Sequence, residues 1–336
     1  MILLTGATGL VGSHILYSLT KQGEQVRATC RRQSTIGEVE KLFRFYENAG
    51  ADALLEKVEW IEADLTDYFS LEEALEGVQY VIHAAAMVSF NPNEARRMLK
   101  VNADGTANLV NASIEKGIKK FCFVSSISSL GRHPEGKEVD EQVEWQPDDN
   151  RSAYSHSKFR AEMEVWRASK EGLPVIIVNP SVIIGPVDWK RSSGRLFYSV
   201  RKGMPFYTTG VTGFVDVRDV AEAVYLLIKS EVVNERFILN GENMSFKNFF
   251  SLVARALNKR APFLKANVFL TEMGWRINHT LCAIFGKAPA ITKDTARAAH
   301  NRAYYSNRKF SEKFNFSFRS VDNSVKNTAQ WYLENN

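Results

Sequence analysis

The sequence predicts an α/β protein in which a doubly wound parallel sheet is followed by a smaller, mostly helical C-terminal lobe. Three observations predict this fold class. Short apolar runs alternate with helix-length stretches through the first half of the chain, a glycine-rich turn follows the first run, and the alternation loosens after Pro180. Because repeated alternation of strands and helices is typical of a parallel sheet covered on both faces, we expect the first half to form that sheet.

Strands are predicted where short runs are rich in β-branched or aromatic residues, which suit a strand that is buried on both faces. The predicted strands cover residues 2–5, 25–30, 58–62, 80–83, 121–125 and 175–179. The segment after the first strand has apolar residues at helical spacing and ends at the helix stop Gln22-Gly23. A strand–helix–strand unit is therefore expected to open the chain.

Turn signals interrupt the chain after Pro180, as at Gly185-Pro186. A helix over about 217–230 and a strand near 237–239 are predicted to return to the sheet. We therefore divide the chain into a sheet domain and a lobe. The sheet domain takes residues 1–180 with a returning segment of about 213–240, and the lobe takes about 181–212 and 241–336.

Composition excludes several classes of protein. The chain has 336 residues, of which 45% are hydrophobic and 24% charged, so it can bury a full core and is not disordered. Its net charge of +5 is a small surplus, whereas nucleic-acid binders normally show clustered lysine and arginine. We expect no nucleic-acid partner.

The cysteines and the N-terminus indicate the cellular compartment. Cys30, Cys122 and Cys282 are widely spaced and form no CxxC pair, so neither a disulfide framework nor a metal site is expected. The apolar run that follows Met1 is too short for a signal peptide. These features predict a cytoplasmic protein.

One long apolar stretch, residues 266–291, could be taken for a membrane segment. Glu272, Arg276 and Lys287 interrupt it, and it lacks the uninterrupted apolar span of roughly 18 residues that a transmembrane helix needs. We expect no integral membrane segment there. The stretch is predicted to be an amphipathic helix that packs on the protein's own core or on a partner.

The glycine-rich turn Thr5–Gly12 directly follows the first strand and opens the first helix. Glycines at three-residue spacing allow a tight turn and a close approach of the backbone to a pyrophosphate, and the helix N-terminus adds N–H groups. The position of the turn within a strand–helix–strand unit predicts a dinucleotide site and a Rossmann-type sheet. The residues expected to hold the dinucleotide are Gly6, Thr8, Gly9, Leu10, Val11 and Gly12.

The end of the second strand bears on the choice of cofactor. Sites for NAD usually place Asp or Glu there, but this chain has Arg31 and Arg32 after Cys30. Two guanidinium groups would pair with a 2′-phosphate, so NADP is predicted in preference to NAD; the alternative is that they are solvated loop charges. Asp64 and Leu65, after the third strand, are placed for the adenine edge, although Asp64 could equally cap a helix.

Tyr154 and Lys158 lie four residues apart in a predicted helix that begins near Ser152, so they share one helix face. A phenol with a pKa of about 10 is a poor acid or base at neutral pH unless a nearby cation stabilises the phenolate. Lys158 would supply that cation. Together with the glycine turn and the Ser125-Ser126 pair, this spacing indicates general acid–base chemistry at Tyr154.

At this point the sequence resembles the extended short-chain dehydrogenases/reductases of the NAD(P)-dependent epimerase/dehydratase group. The likeness is closest to the dihydroflavonol-reductase and 3β-hydroxysteroid-dehydrogenase branches. The matching motifs run from residue 5 to about 221; besides the glycine turn and the Tyr154/Lys158 pair they are residues 83–86, 101–106, 123–126, 179–180, 185–186 and 214–221.

The resemblance implies a mechanism and a set of site residues. Ser126 would hydrogen-bond the substrate oxygen, Tyr154 would give or take its proton, and Lys158 would hold the nicotinamide ribose while hydride passes at the nicotinamide. The family pattern places the backbone of Ala84, Ala85 and Ala86 along the cofactor and Asn179-Pro180 near the carboxamide. A homodimer through helices that flank the catalytic helix is also implied.

Three functions remain open. The first is an NADP-dependent reductase or dehydrogenase acting on a small molecule whose carbonyl or alcohol is attached to an apolar body. The second is a nucleotide-sugar epimerase or dehydratase, against which Thr212-Gly213 replaces the Arg-Asp that many such enzymes carry. Its support is a group of cations, Lys190, Arg191, Arg195 and Lys202. A catalytically inactive redox sensor ranks last because Tyr154 and Lys158 are both kept.

Several residues have a structural interpretation beside a functional one. His83 ends a buried strand and is expected to be a core histidine, Asn102 to order helix and strand ends, and Asp219 to cap or anchor the helix that follows. The aromatic residues of the lobe fit either a pocket or a core; they are Phe249, Phe250, Phe263, Phe269, Trp275 and Phe285.

Overall fold

The computed structural model of the chain describes residues 1–31, 35–89, 91–133, 136–146, 151–186, 188–189, 193–284 and 292–335, with the backbone alone for 279–284. Its strands are β1 Ile2–Thr5, β2 Val26–Cys30, β3 Val58–Glu62, β4 Tyr80–His83, β5 Lys120–Val124, β6 Glu138–Val139, β7 Val175–Pro180, β8 Val182–Ile184, β9 Phe206–Tyr207, β10 Val211–Asp216, β11 Glu235–Leu239, β12 Glu242–Ser245, β13 Leu264–Lys265 and β14 Tyr304–Tyr305.

Helices lie between these strands. They are α1 Leu10–Lys21, α2 Ile36–Glu47, α3 Ala51–Leu55, α4 Tyr68–Ala74, α5 Ala95–Leu99, α6 Gly105–Glu115, α7 Ala153–Lys170, α8 Gly194–Arg201, α9 Val217–Lys229, α10 Phe246–Ala256, α11 Val268–Ile284, α12 Lys293–Ala298, α13 Arg308–Phe314 and α14 Val321–Glu334. One π-helical turn, Lys100–Asp104, joins α5 to α6.

The central sheet has seven strands in the order β11-β7-β5-β4-β1-β2-β3, and all of its pairings are parallel. This order confirms the predicted Rossmann-type fold class. The six predicted strands form with ends that differ by at most one residue, and the predicted return near 237–239 becomes β11 at one edge. The carboxyl ends of β1, β4, β5 and β7 lie side by side, which is where ligands bind in sheets of this kind.

Helices cover both faces of this sheet because its strands are apolar on both faces. In β1, Ile2 and Leu4 contribute to one buried cluster with α1 and α9, whereas Leu3 contributes to a second cluster on the opposite face. A strand whose successive side chains enter two cores is apolar at most of its positions. The continuous apolar run in the sequence therefore corresponds to burial on both sides.

The lobe is built on a smaller sheet, β12-β10-β8, and on a third core between α8, α10 and α14. Phe249 and Phe250 of α10 lie in that core, so these two aromatic residues are core and not pocket. Phe310 of α13, from the segment predicted to belong to the lobe, instead packs against Phe237 of β11. The predicted division into a sheet domain and a lobe stays a prediction.

Of the two roles predicted for Asp219, capping the helix that follows is wrong, because another residue caps α9. Asp216 is the N-cap, and its carboxylate accepts from the backbone N–H of Arg218 at 2.8 Å. Asp219 is fully buried and accepts from the backbone N–H of Arg319 at 2.8 Å, so it anchors the chain before α14. Among the described residues, no helix is long and apolar enough to cross a membrane.

Candidate active site

The glycine turn leaves no room for a side chain at Gly6 or at Gly12. Gly6 has φ +72°, and a Cβ there would lie 2.6 Å from the Cα of Ala85. A Cβ at Gly12 would lie 2.0 Å from the carbonyl oxygen of Gly6, and Gly9 donates to that same oxygen at 2.9 Å. Since Gly9 caps α1 without any side-chain hydrogen bond, the first N–H groups of the helix face outward uncapped. Such a turn fits a pyrophosphate.

The remaining predicted residues of the turn border this cradle. Thr8 and Val11 are half-buried, and Leu10 is buried at the first position of α1. Gly185 packs against that position, since a Cβ there would lie 3.4 Å from a methyl carbon of Leu10. The turn is thus held between the sheet and the segment that leads into the lobe.

A hydrogen-bonded chain fixes the segment after β4 against the turn. The N–H of Ala85 donates to the hydroxyl of Thr5 at 3.3 Å, and Thr5 lies 2.7 Å from Nδ1 of His83. Nε2 of His83 lies 3.0 Å from the Thr106 hydroxyl, which donates to the carbonyl of Asn102. This direction assigns the imidazole proton to Nε2 and makes Nδ1 an acceptor. Burial lowers the pKa of His83 to about 3, so the ring is neutral, as a core histidine should be.

Asn102 lies in the π-helical turn and connects the same segment to the catalytic helix. Its Oδ1 accepts from the N–H of Met87 at 2.7 Å, and its Nδ2 donates to the carbonyl of Met87 at 2.9 Å. The Nδ2 group also donates to the Ser157 hydroxyl at 3.0 Å, and Ser157 in turn donates to the carbonyl of Tyr154 at 2.8 Å. These contacts support the ordering role of Asn102. Single π-helical turns are frequent at functional sites.

Tyr154 lies in the first turn of α7, which Ser152 caps by accepting from the N–H of Ser155 at 3.1 Å. The phenol makes a hydrogen bond with the side chain of Ser126, which follows β5. Burial raises the pKa of Tyr154, and the bond to Ser126 opposes that rise. The structure thus joins the predicted tyrosine and serine, and the tyrosine is protonated at neutral pH.

Lys158 is buried one helical turn further along α7. Its ammonium donates to the carbonyl of Val124 at 2.8 Å and lies 4.3 Å from the centre of the Phe123 ring. Burial lowers the pKa of Lys158 to about 7, and the charge of Glu162 opposes that shift. A lysine that changes charge near neutral pH beside a phenol is typical of acid–base sites.

Asn179 and Glu162 form the floor of this site. The amide of Asn179 donates to the carbonyl of Ser126 at 3.2 Å and to Glu162 at 3.0 Å, whereas its buried Oδ1 has no partner. Glu162 is 1% exposed and also accepts from Ser125 at 2.6 Å and from Ser129 at 2.7 Å. Arg236 of β11 lies 3.4 Å from its other oxygen. The unpartnered amide oxygen at the end of β7 is an acceptor that a carboxamide N–H would satisfy.

Glu162 is the site residue that sequence reasoning missed. The signal was present, because Glu162 follows Lys158 by four residues and so continues the face that carries Tyr154 and Lys158. A carboxylate on that face has no obvious role until its partners are known. They come from the ends of β5 and β7, which only the fold brings together.

The adenosine end of the predicted site is less complete. Arg31 is exposed and close enough to Asp64 to lower the pKa of its carboxyl, but the larger cause is hydrogen bonding to Thr66. Asp64 accepts from the N–H and hydroxyl of Thr66 at 2.8 and 2.7 Å, so one of its oxygens closes a turn. Leu65 packs over Gly105, and Arg32 lies outside the described residues.

Arg97 of α5 is a cation near Asp64 that the sequence did not single out; it too lowers the pKa of that carboxyl. Of the other predicted residues, Ala84 and Ala85 are half-buried, Ala86 is exposed, and Pro180 ends β7 opposite Leu239. The cations Lys190 and Arg191 lie outside the described residues. Within the described part of the chain, no cluster of His, Cys, Asp and Glu could hold a metal ion.

Comparison with known proteins identifies the family to which the chain belongs. Residues 2–239, more than half of the chain, match the profile of the NAD dependent epimerase/dehydratase family. A Synechocystis protein that bears the provisional name dihydroflavonol 4-reductase is 27% identical over 336 residues, with 98% of this chain and 93% of that protein covered. Cinnamoyl-CoA reductase 1 of Petunia hybrida is 30% identical over 249 residues, with 71% and 72% covered.

A solved structure shares the whole architecture. The UDP-glucose 4-epimerase of Thermus thermophilus, crystallised in complex with NAD, superposes with a TM-score of 0.75 and covers 100% of this chain and 99% of its own. At 20% identity this likeness supports the fold alone. The match nevertheless extends through the lobe, where the sequence had offered no signature residues.

Proposed function

The chain belongs to the NAD dependent epimerase/dehydratase family and is an NAD(P)-dependent enzyme of that type; we propose that it is an NADP-dependent reductase that interconverts a carbonyl and an alcohol. The observation that carries the proposal is the hydrogen bond between Tyr154 and Ser126, with Lys158 one helical turn away. This group lies at the carboxyl end of the sheet, where the glycine turn also lies.

The residues divide the chemistry between them. The Ser126 hydroxyl donates a hydrogen bond to the substrate oxygen and holds it beside the phenol of Tyr154. Tyr154 then gives its proton to that oxygen during reduction, or takes a proton from the alcohol during oxidation. The glycine turn would hold a nicotinamide dinucleotide, which would supply or accept the hydride when bound. Lys158 would hold the nicotinamide ribose and, when protonated, place a cation on the same face of α7 as Tyr154.

The electrostatics of the site keep the phenol protonated at neutral pH. Burial raises the pKa of Tyr154, so the phenol carries its proton at neutral pH and is ready to act as an acid. Lys158, whose pKa burial lowers to about 7, is the group that can return a proton to the phenolate. Asn102 and Glu162 hold the two ends of this arrangement through backbone and side-chain hydrogen bonds.

The environment of Gly213 argues against a sugar-nucleotide substrate. A Cβ at this position would lie 2.2 Å from Oδ1 of Asn240 and 2.9 Å from the Cβ of Ser181. The aspartate that many nucleotide-sugar members carry at the matching position therefore has no room here. Arg195 and Lys202 are exposed, and Lys202 lies over the ring of Tyr198. We therefore place a carbonyl on an apolar body ahead of a sugar nucleotide.

Turnover is tested with Tyr154→Phe. NADPH oxidation with a panel of aromatic aldehydes and ketones should fall by about 100- to 10,000-fold, while the dissociation constant for NADPH changes little. Tyr68→Phe, which removes a phenol from α4, is the matched control and should retain turnover. Unchanged turnover in Tyr154→Phe would exclude the proposed acid, and wild-type protein that isomerises a sugar nucleotide without net NADPH oxidation would be an epimerase.

Cofactor choice is tested separately with Arg31→Glu. The proposal expects wild-type protein to bind NADPH more tightly than NADH, and the variant to lose about 10- to 100-fold in affinity for NADPH alone. Arg255→Glu makes the same change of net charge in the lobe and should leave both affinities unchanged. Equal loss for both dinucleotides, or tighter binding of NADH by the wild type, would overturn the assignment of NADP.

A further inference from the structure

Exposed apolar side chains are concentrated in one part of the lobe. Of the fourteen large hydrophobic residues that are exposed among the described residues, eight lie at position 206 and within 263–277. We call these eight the apolar ridge: Phe206, Phe263, Leu264, Val268, Phe269, Leu270, Met273 and Ile277. Patches of this kind on a protein surface mark a site of interaction.

The ridge is continuous along the chain. β13 pairs with β9, so Leu264 lies beside Phe206, and Phe263 donates from its backbone to Pro205 at 2.9 Å. The chain then enters α11 within three residues. Along that helix Phe269, Met273 and Ile277 follow one another at intervals of four, so they share one face. Phe269 is 68% exposed, which shows that this face does not pack on the protein's own core.

Cations border the ridge and acids are almost absent. Between residues 259 and 277, the segment that carries most of the ridge, the sequence has four lysines and arginines and one acidic residue, Glu272. The guanidinium of Arg260 lies 4.1 Å from the centre of the Phe263 ring, and Lys259 and Lys265 are exposed nearby in the chain. Arg276 offsets the one acid by pairing with Glu272 at 3.2 Å.

We propose that the apolar ridge docks on the surface of a lipid bilayer that contains anionic phospholipids. A helix with an apolar face and basic flanks lies in the plane of such a surface, with its apolar side chains in the acyl boundary and its cations among the headgroups. Long basic side chains can reach those headgroups while their stems cover apolar surface. The proposal does not depend on the reaction that the enzyme catalyses.

The charge of the ridge favours this occupant over a second copy of the chain. A two-fold symmetric dimer places the same patch of both copies face to face. Glu272, the one acid of the ridge segment, already pairs with Arg276. Such a contact would therefore gather Lys259, Arg260 and Lys265 of both copies in one interface without opposite charges for them. An anionic membrane instead complements every one of these cations.

Vesicle binding tests the proposal with the full chain. Wild-type protein should bind vesicles of phosphatidylcholine with about one-third phosphatidylglycerol at least tenfold more tightly than vesicles of phosphatidylcholine alone, since each cation near an anionic surface adds about 1 kcal/mol. Binding should weaken as sodium chloride is added. Absence of binding to the anionic vesicles in a flotation assay would overturn the proposal.

Variants locate the contact. Phe269→Ser with Met273→Ser should lower binding to the anionic vesicles at least tenfold, because the apolar contribution is removed. Lys259→Glu with Lys265→Glu should abolish the preference for anionic lipid. Phe69→Ser, at a phenylalanine that is 80% exposed on α4, is the matched control and should bind like the wild type.

Two outcomes contradict the proposal at this stage. Equal loss in Phe69→Ser would show that binding is not specific to the ridge. A lipid-free dimer in sedimentation velocity that Phe269→Ser with Met273→Ser dissociates, with no vesicle binding by the wild type, would make a second copy the occupant. Thermal unfolding checks that the variants are folded, since substitutions at exposed positions are usually within about 0.5 kcal/mol of neutral.

Discussion

The sheet and the segment that contains α11 and α12 place the same residue types in opposite surroundings. In the sheet, Phe121 of β5 is fully buried and His83 has partners on both ring nitrogens, and at the start of α1, next to the sheet, a Cβ at Gly12 would overlap backbone. Phe121, His83 and Gly12 are each constrained by neighbours from elsewhere in the chain. Motifs of the sheet therefore appear in the structure where the sequence places them.

In the second region these constraints are missing. Phe269 is exposed, Gly274 has no heavy atom within 4 Å of an added Cβ, and His300 is half-buried with a contact to Thr271 at 2.8 Å. Both regions have apolar residues at regular spacing. In the sheet these residues pack against other parts of the chain, whereas on α11 the exposed apolar face does not. The difference shows that an apolar pattern indicates a buried face without identifying what buries it.

The largest expected effect is a difference in the free energy of unfolding between alanine variants of Phe121 and of Phe269. Phe121→Ala should lower the free energy of unfolding by about 3–5 kcal/mol, because it leaves a cavity in a core that cannot collapse around it. Phe269→Ala should change that free energy by less than about 0.5 kcal/mol in the absence of lipid. Urea unfolding of both variants measures the contrast. Comparable losses would mean that α11 is packed in solution and would remove the basis of the comparison.

Alanine substitutions at Gly12 and Gly274 should change the free energy of unfolding in opposite directions. Gly12→Ala is expected to destabilise the protein by about 1–3 kcal/mol, since the methyl group meets the Gly6 carbonyl at 2.0 Å, and to weaken binding of the dinucleotide. Gly274→Ala, in the middle of α11, should stabilise by about 0.5–1 kcal/mol, because alanine has the higher helix propensity. Thermal unfolding and dinucleotide titration measure both effects. A tolerated alanine at Gly12 would contradict the close packing of the turn.

The same contrast explains what the sequence could and could not predict. Strand ends, the glycine turn and the Tyr154/Lys158 pair were predictable because local pattern and spacing determine them. The partners of Glu162 were not, since Ser125 and Asn179 lie on different strands far apart in the chain. Asp219 is similar: its partner Arg319 is 100 residues away, so its anchoring contact had no local signal.

The aromatic residues of the lobe divide for a related reason. Phe249 lies in the core of α8, α10 and α14, whereas Phe263 and Phe269 are exposed. Phe249 and Phe269 both lie in helices with apolar residues at helical spacing, and Phe263 directly precedes β13. Which face is covered depends on whether another element arrives over it, and α14 comes from the C-terminal end of the chain. The periodicity of one helix therefore does not show whether a distant element will pack on its apolar face.

The last of the expected effects is a pH dependence of stability that distinguishes His83 from His300. In the folded protein the pKa of His83 is about 3, because burial disfavours the charged ring, whereas in the unfolded chain it is about 6.5. As the pH falls below about 6.5 the unfolded state takes up a proton that the folded state does not. His83 therefore lowers the free energy of unfolding by up to about 1.4 kcal/mol per pH unit between roughly pH 6 and pH 3.

His83→Gln removes this titration while keeping an amide that can donate and accept. The variant should be less stable than the wild type at pH 7.5, and the gap should narrow by about 2 kcal/mol by pH 5, because only the wild type loses stability through this site. His14, whose pKa burial lowers to about 4, titrates in both proteins and cancels. His300→Gln is the control. The ring of His300 is half-buried in the lobe, so the difference in unfolding free energy between this variant and the wild type should vary less with pH. A gap for His83→Gln that stays constant in urea unfolding from pH 7.5 to pH 5 would mean that the ring is accessible to protons, and that the chain of hydrogen bonds from Ala85 to Asn102 does not hold it neutral.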